Sequence, residues 1–282
     1  MQPLPKFVYF GTPEFSTHVV EALGEAGFVP SLIVTAPDKP AGRGLALTES
    51  AVKKWALAHD IEILQPEKFD DEIVARLEAS RAEFAVVAAY GKILPQRVLD
   101  LFPKGALNVH PSLLPRYRGT SPIESQILAE DPDIGVSVIL MDEKMDHGPI
   151  VAQEKLAIPN WPIDRNSANE IFWKAGGELL ATTLPHYLAG EIIPTPQDEA
   201  NVTITKKITK EDGLLDLTVP ATARANYLKY LAYAGWPGIY FFDGARRVKI
   251  TKASFANNQF IVERVIPEGK REMNYSEFSR VH

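Results

Sequence analysis

Asn108, His110 and Asp146 are the residues of this chain whose types and spacing best suit chemistry. Asn108 and His110 stand two apart in LNVHPSLLP, at what reads as a strand end, so their side chains share one face. Pro111 stops that strand and forces an extended exit. Asp146 follows His110 by 36 residues, in a Gly-containing DHGP turn beyond an apolar stretch from Ile134 to Met141. His is the side chain that changes charge near neutral pH, and a nearby carboxylate orients it and stabilises its cation. An Asn N–H can stabilise a developing oxyanion. No Ser or Cys is needed if the nucleophile belongs to the substrate. The three form a proton-transfer site if the two strands are sheet neighbours. The same spacing equally allows a capping Asn, a hydrogen-bonded His and a turn Asp that never meet. One His, one Asp and one Asn make a poor ligand set, so no metal is expected.

The elements that must position these residues alternate. Lys6 to Phe10, Val29 to Ala36, Ile61 to Leu64 and Glu83 to Ala89 read as strands, the last almost wholly apolar, as suits a central parallel position. Between them, a stretch from Pro13 to Gly27, Ser50 to Asp60 and Asp70 to Ser80 read as helices, the first with Thr12 as N-cap. This predicts an α/β, Rossmann-like doubly wound sheet. A further helix is expected from Asp164 to Leu188. After an irregular, proline-bearing stretch the pattern changes to short β segments, at Ile239 to Phe242, Arg247 to Thr251 and Gln259 to Val265. They are separated by Asp243-Gly244 and Asn257-Asn258, which is hairpin punctuation, and a small OB-like β-barrel fits. The domains are therefore expected as 1–189, a linker at 190–205, and 206–282.

Composition narrows the function classes. The 282 residues favour two domains, and 45% hydrophobic with 23% charged residues is ordinary for a globular protein. The absence of cysteine excludes a disulfide scaffold, a thiolate nucleophile and a cysteine-ligated metal. With no long apolar run and no signal pattern, a cytoplasmic protein without membrane contact is expected, and a monomer. The net charge of −6 hides an asymmetry: residues 201–282 carry 13 Lys+Arg against 8 Asp+Glu, and residues 1–200 carry 17 against 28. A basic C-terminal third suits a polyanion, although ordinary surface variation could produce it equally well.

Three further motifs border the expected sheet. FGTPEF, Phe10 to Phe15, occupies the place of a dinucleotide-binding loop but lacks its glycines, and Glu14 would repel a pyrophosphate, so a nicotinamide-dependent dehydrogenase is improbable. PDKPAGRG, Pro37 to Gly44, is too rich in Pro and Gly for core; its Lys39 and Arg43 suit phosphate or base-edge contacts, though a solvated loop is the simpler reading. AAYGKILP carries Tyr90 and Gly91 out of a central strand, where exposed backbone could read a flat heterocycle or simply turn. In the C-terminal third, WPG at Trp236 to Gly238 and the cluster Lys206, Lys207 and Lys210 mark the start of the basic module.

FGTPEFS, PDKPAGRG, NVHPSLLPRYRGTSPI, MDEKMDHGPI, KKITKEDGLLD and WPG stand in the order and spacing of one family: the chain resembles the methionyl-tRNA formyltransferases along essentially its whole length. The resemblance implies transfer of a formyl group from 10-formyltetrahydrofolate to the free amino group of methionyl initiator tRNA, for translation initiation. It implies Asn108, His110 and Asp146 as catalytic residues, and Ser112, Leu113, Leu114 and Pro115 as a folate-binding segment beside Tyr90 and Gly91. The Lys39 and Arg43 loop corresponds to an insertion that engages the tRNA acceptor end, and the basic C-terminal barrel, with Lys206, Lys207 and Lys210 at its start, to a tRNA-binding domain. Tyr117 stands where the family usually has Trp, and His147 where it usually has Thr. A formyltransferase acting on a sugar nucleotide would share the trio, and is disfavoured by the Arg43 loop and basic module; a non-catalytic RNA-binding protein is disfavoured by the intact Asn-His-Asp set.

Overall fold

A computed structural model describes residues 5–41 and 46–280. Its central sheet has seven strands: β1 (Phe7–Gly11), β2 (Leu32–Val34), β3 (Ile63–Leu64), β4 (Phe84–Ala88), β5 (Ala106–His110), β6 (Gly135–Leu140) and β7 (Ile150–Lys155). They lie in the order β7-β6-β5-β4-β1-β2-β3. β1 to β5 are parallel, whereas β6 runs antiparallel to β5 and β7 antiparallel to β6. β1 and β4 are buried at every position, as central strands covered on both faces must be. The chain leaves β1 toward β2 and β3, then returns to its other side with β4, so the strand order reverses between β1 and β4. Ligands of such sheets bind beyond the carboxyl ends of the strands at that reversal.

The helices follow from local chemistry. In Glu14–Glu25, Ser16, Val19, Val20 and Leu23 are buried, a spacing that puts them on one stripe. Ala51–Ala58 starts where Ser50 Oγ accepts from the Lys53 N–H at 3.0 Å, and Asp71–Ala79 where Asp70 accepts from the Ile73 N–H at 3.1 Å. The expected cap at Thr12 is corrected: Pro13 is the N-cap and makes no side-chain cap. The Thr12 hydroxyl instead accepts from the Ala36 N–H at 3.3 Å and donates to the Tyr90 carbonyl at 3.4 Å, joining three loops at the carboxyl end of the sheet. The solvated loop expected at Pro37 to Gly44 is also corrected. Lys39–Ala41 and Ala46–Thr48 pair as antiparallel hairpin arms, and Arg43 lies outside the described residues.

The chain divides into two compact units. One holds Met1–Arg118, Gly135–Leu156 and Glu170–Ile204; the other holds Gly119–Ile134, Ala157–Asn169 and Thr205–His282, so two segments from within residues 1–189 belong to it. The second unit contains an antiparallel sheet in the order Ile239–Asp243, Arg246–Ala256, Gln259–Pro267, Met273–Asn274. Asn257 and Asn258 both take positive φ, at 51° and 58°, as the tight turn between two of its strands requires. Its second strand runs five residues beyond the expected Thr251, because a bulge at Lys252 breaks the alternation that sequence patterning follows. In this unit Ala223–Ala232 packs on Pro122–Leu128, and Arg224 pairs with Glu130. Among the described residues no helix is long and apolar enough to cross a membrane.

Candidate active site

Strand β5 presents Asn108 and His110 on the same face, and Asp146 is drawn over that face. Asn108 Nδ2 donates to Asp146 Oδ1 at 3.4 Å, and His110 Nδ1 lies 3.6 Å from the same oxygen. The geometry differs in one respect from a meeting at a shared strand edge. His110 pairs with Ser137 and Leu107 with Leu140, so the exit of β6 lies at the far end of β5 from His110. The segment 141–149 therefore has to fold back to deliver Asp146.

That return depends on Gly148. A Cβ there would stand 1.8 Å from the Leu140 carbonyl oxygen, a backbone atom that cannot swing aside. Gly148→Ala is expected to cost at least about 1–3 kcal/mol of stability, the usual range for overpacking, and to displace Asp146. Urea denaturation checks the first effect; a variant as stable as the parent would contradict it. Asp146 itself holds φ at 51°, in the left-handed region where Asp and Asn are the least strained non-glycine residues.

His110 is 4% exposed. Its Nε2 sits 3.0 Å from the Tyr117 carbonyl, which can only accept, so Nε2 carries the hydrogen. In the neutral ring Nδ1 is then the basic nitrogen, and it is the one that faces Asp146. A lone pair and a carboxylate oxygen repel; a proton taken up on Nδ1 turns that repulsion into attraction. Among the described residues no cluster of His, Asp and Glu could hold a metal ion.

The loop after His110 is built by its own hydrogen bonds. Ser112 is fully buried and its hydroxyl donates to the Arg116 carbonyl at 2.7 Å. Ser137 Oγ donates to the Ser112 carbonyl at 2.6 Å and accepts from the Leu114 N–H at 3.1 Å. Leu114 is 3% exposed, and Leu113 and Pro115 are half-buried. Tyr90 gives its ring to packing against Phe10, with centroids 5.5 Å apart, and burial pushes its phenol up to about 12. Gly91 takes φ of 79° at the exposed turn beyond it. Lys39, Lys206, Lys207 and Lys210 are exposed, and Lys206 Nζ lies 2.7 Å from Asp212 Oδ1. Sequence reasoning missed the Tyr117 carbonyl, Arg118, Gly148 and Gln197. Gly148 carried a signal as the glycine of the DHGP turn, and Arg118 lies in the NVHPSLLPRYRGTSPI block; nothing in the sequence marked Gln197 or the Tyr117 carbonyl.

A mixed α/β sheet with an Asn-His-Asp cluster drawn together over one strand is the arrangement of an α/β enzyme. The family model described as formyl transferase matches residues 5–181, and the chain belongs to that family. It is 43% identical over 253 residues to the methionyl-tRNA formyltransferase of Chloroflexus aurantiacus, covering 89% of this chain and 81% of the relative. It is 36% identical over 304 residues to that of Myxococcus xanthus, covering 99% of this chain and 95% of the relative. The solved structure of HypX from Aquifex aeolicus in complex with tetrahydrofolic acid shares the fold, with a TM-score of 0.65 at 12% identity over 98% of this chain and 47% of that one.

Proposed function

We propose that the protein transfers the formyl group of 10-formyltetrahydrofolate to the α-amino group of methionyl initiator tRNA. The observation that carries this is the convergence of Asn108 and His110 on one oxygen of Asp146, in a chain 43% identical to a methionyl-tRNA formyltransferase. The amine attacks the formyl carbon, and a C–N bond forms as the carbonyl oxygen gains charge. Asn108 donates to that oxygen. His110 takes the amine proton on Nδ1, and Asp146 stabilises the imidazolium. Collapse breaks the bond to N10 of the folate, and the proton passes to that nitrogen. The product is N-formylmethionyl-tRNA, and tetrahydrofolate leaves.

The folate lies, in this reading, along Ser112 to Pro115 and the backbone at Tyr90 and Gly91, beyond the carboxyl end of the sheet. The buried Ser112 and Leu114 shape the loop, and Leu113 and Pro115 offer it contact. Residues 1–189 carry the catalytic residues, 190–205 connect them in sequence to the C-terminal part, and 206–282 supply an OB-like module for tRNA, in a cytoplasmic monomer. The basic balance of that module supports the assignment, as does a groove of about 690 Å³ in the second unit lined by the half-buried Tyr227 and Tyr230 and the exposed Lys249, since aromatic rings beside a cation suit unstacked nucleotides. Lys39 and Arg43 engage the acceptor end, with Lys206, Lys207 and Lys210 on the phosphates.

The test is formyl transfer to purified methionyl initiator tRNA, with methionyl elongator tRNA alongside. Transfer to the initiator alone supports the reading. Folate consumption only when amino sugars are supplied would replace it. Lys39→Ala combined with Arg43→Ala is expected to raise KM for tRNA about tenfold and leave that for folate within twofold, since two phosphate contacts are lost. Equal loss toward both substrates would remove the loop from the tRNA site.

A further inference from the structure

We propose that Arg118 and Gln197 form a clamp that sets the position of Asp146, making Gln197 a positioning residue of the transfer reaction. The inference rests on the proposed function. Gln197 is 9% exposed, and it lies in a stretch whose sequence reads as linker. Its place is fixed by a two-bond bridge: the Ile150 N–H donates to the Thr195 carbonyl and the Thr195 N–H to the Ile150 carbonyl, both at 2.8 Å. Gln197, two residues on, then meets the turn that bears Asp146. Its Nε2 donates to the carbonyls of Asp146 and Gly148, each at 2.8 Å. Its Oε1 accepts from Arg118 Nε at 2.9 Å.

This arrangement has one possible orientation. Carbonyls only accept and a guanidinium only donates, so a flipped amide would lose all three bonds. Arg118 is 6% exposed and is fixed in turn by Glu199, whose Oε1 lies 2.6 Å from its Nη2. That guanidinium holds the Glu199 carboxyl below the usual carboxylate range. Arg118 also follows Tyr117, whose carbonyl orients His110. Adjacent residues thus fix the base and, through Gln197, the carboxylate that must face it. The clamp grips the backbone of a turn whose Asp146 holds a positive φ, where an unsupported chain would relax.

Gln197→Glu and Gln197→Met keep the side-chain size and remove both N–H donors. Each is expected to lower kcat about tenfold to a hundredfold, as small displacements of catalytic groups do, with KM for folate and tRNA within twofold. The effect is expected to vanish in the Asp146→Asn background, where no charge remains to be placed. Gln197 side-chain amide protons should also exchange more slowly than those of exposed glutamines, a readout independent of activity. Near-normal kcat in both variants, a loss confined to KM, additive losses with Asp146→Asn, or fast amide exchange would each overturn the clamp. A parent enzyme that transfers no formyl group but shows the slow exchange would instead overturn the function and leave the clamp standing.

Discussion

His110→Ala is expected to lower kcat about 10²–10⁴-fold, the range that a positioned general base supplies, with tRNA and folate affinities within twofold of the parent. That range corresponds to about 3–5 kcal/mol of barrier. The reason for a split between kcat and affinity is geometric. His110 is 4% exposed and is held from behind by the Tyr117 carbonyl, so only its Nδ1 side can meet a reacting group. It is placed to act on the amine as the C–N bond forms, and offers the bound ground state little. Filter binding of methionyl-tRNA and single-turnover formyl transfer separate the two quantities. His110→Gln is the companion variant, since its amide can still donate to the Tyr117 carbonyl and fill the space without being basic. If His110→Gln kept a kcat within threefold of the parent, His110 would be an orienting residue and the base would have to be sought elsewhere.

How much of this was legible in the sequence depends on the kind of group involved. Asn108 and His110 were readable because strand alternation alone puts residues two apart on one face, and Pro111 marks where that strand stops. The parallel core was readable because β4 is continuously apolar. The antiparallel insertion of β6 was not, since its buried sequence looks the same in either direction; that direction makes the 141–149 segment fold back and makes Gly148 indispensable. The supports were hidden for a different reason. The Tyr117 carbonyl is a backbone acceptor, and every residue has one. Gln197 sits in a segment with no periodicity, and its role follows from a bridge to Ile150 that is distant in sequence. Thr12 was assigned a local cap because local capping is what sequence patterns reveal, whereas its hydroxyl bonds to Ala36 and Tyr90.

Asp146→Asn is expected to lower kcat about 10²–10³-fold without unfolding the protein. The magnitude follows from charge. Two unit charges 3.6 Å apart interact by roughly 4–5 kcal/mol at an effective dielectric of about 20, and this attraction exists only once Nδ1 of His110 is protonated. It is therefore gained along the reaction and absent before it, which is the condition for raising kcat. Asn is the informative replacement for two reasons. It tolerates the left-handed backbone that residue 146 adopts, where Ala would add strain. The grip of Gln197 is on the carbonyl of residue 146, so Asn keeps the turn in place while the charge is removed. Thermal unfolding within about 2 °C of the parent, together with the loss in kcat, would assign the effect to electrostatics. An Asp146→Asn enzyme of near-parent kcat would mean that the carboxylate is there for structure, and His110 would have to hold its proton without a counter-charge.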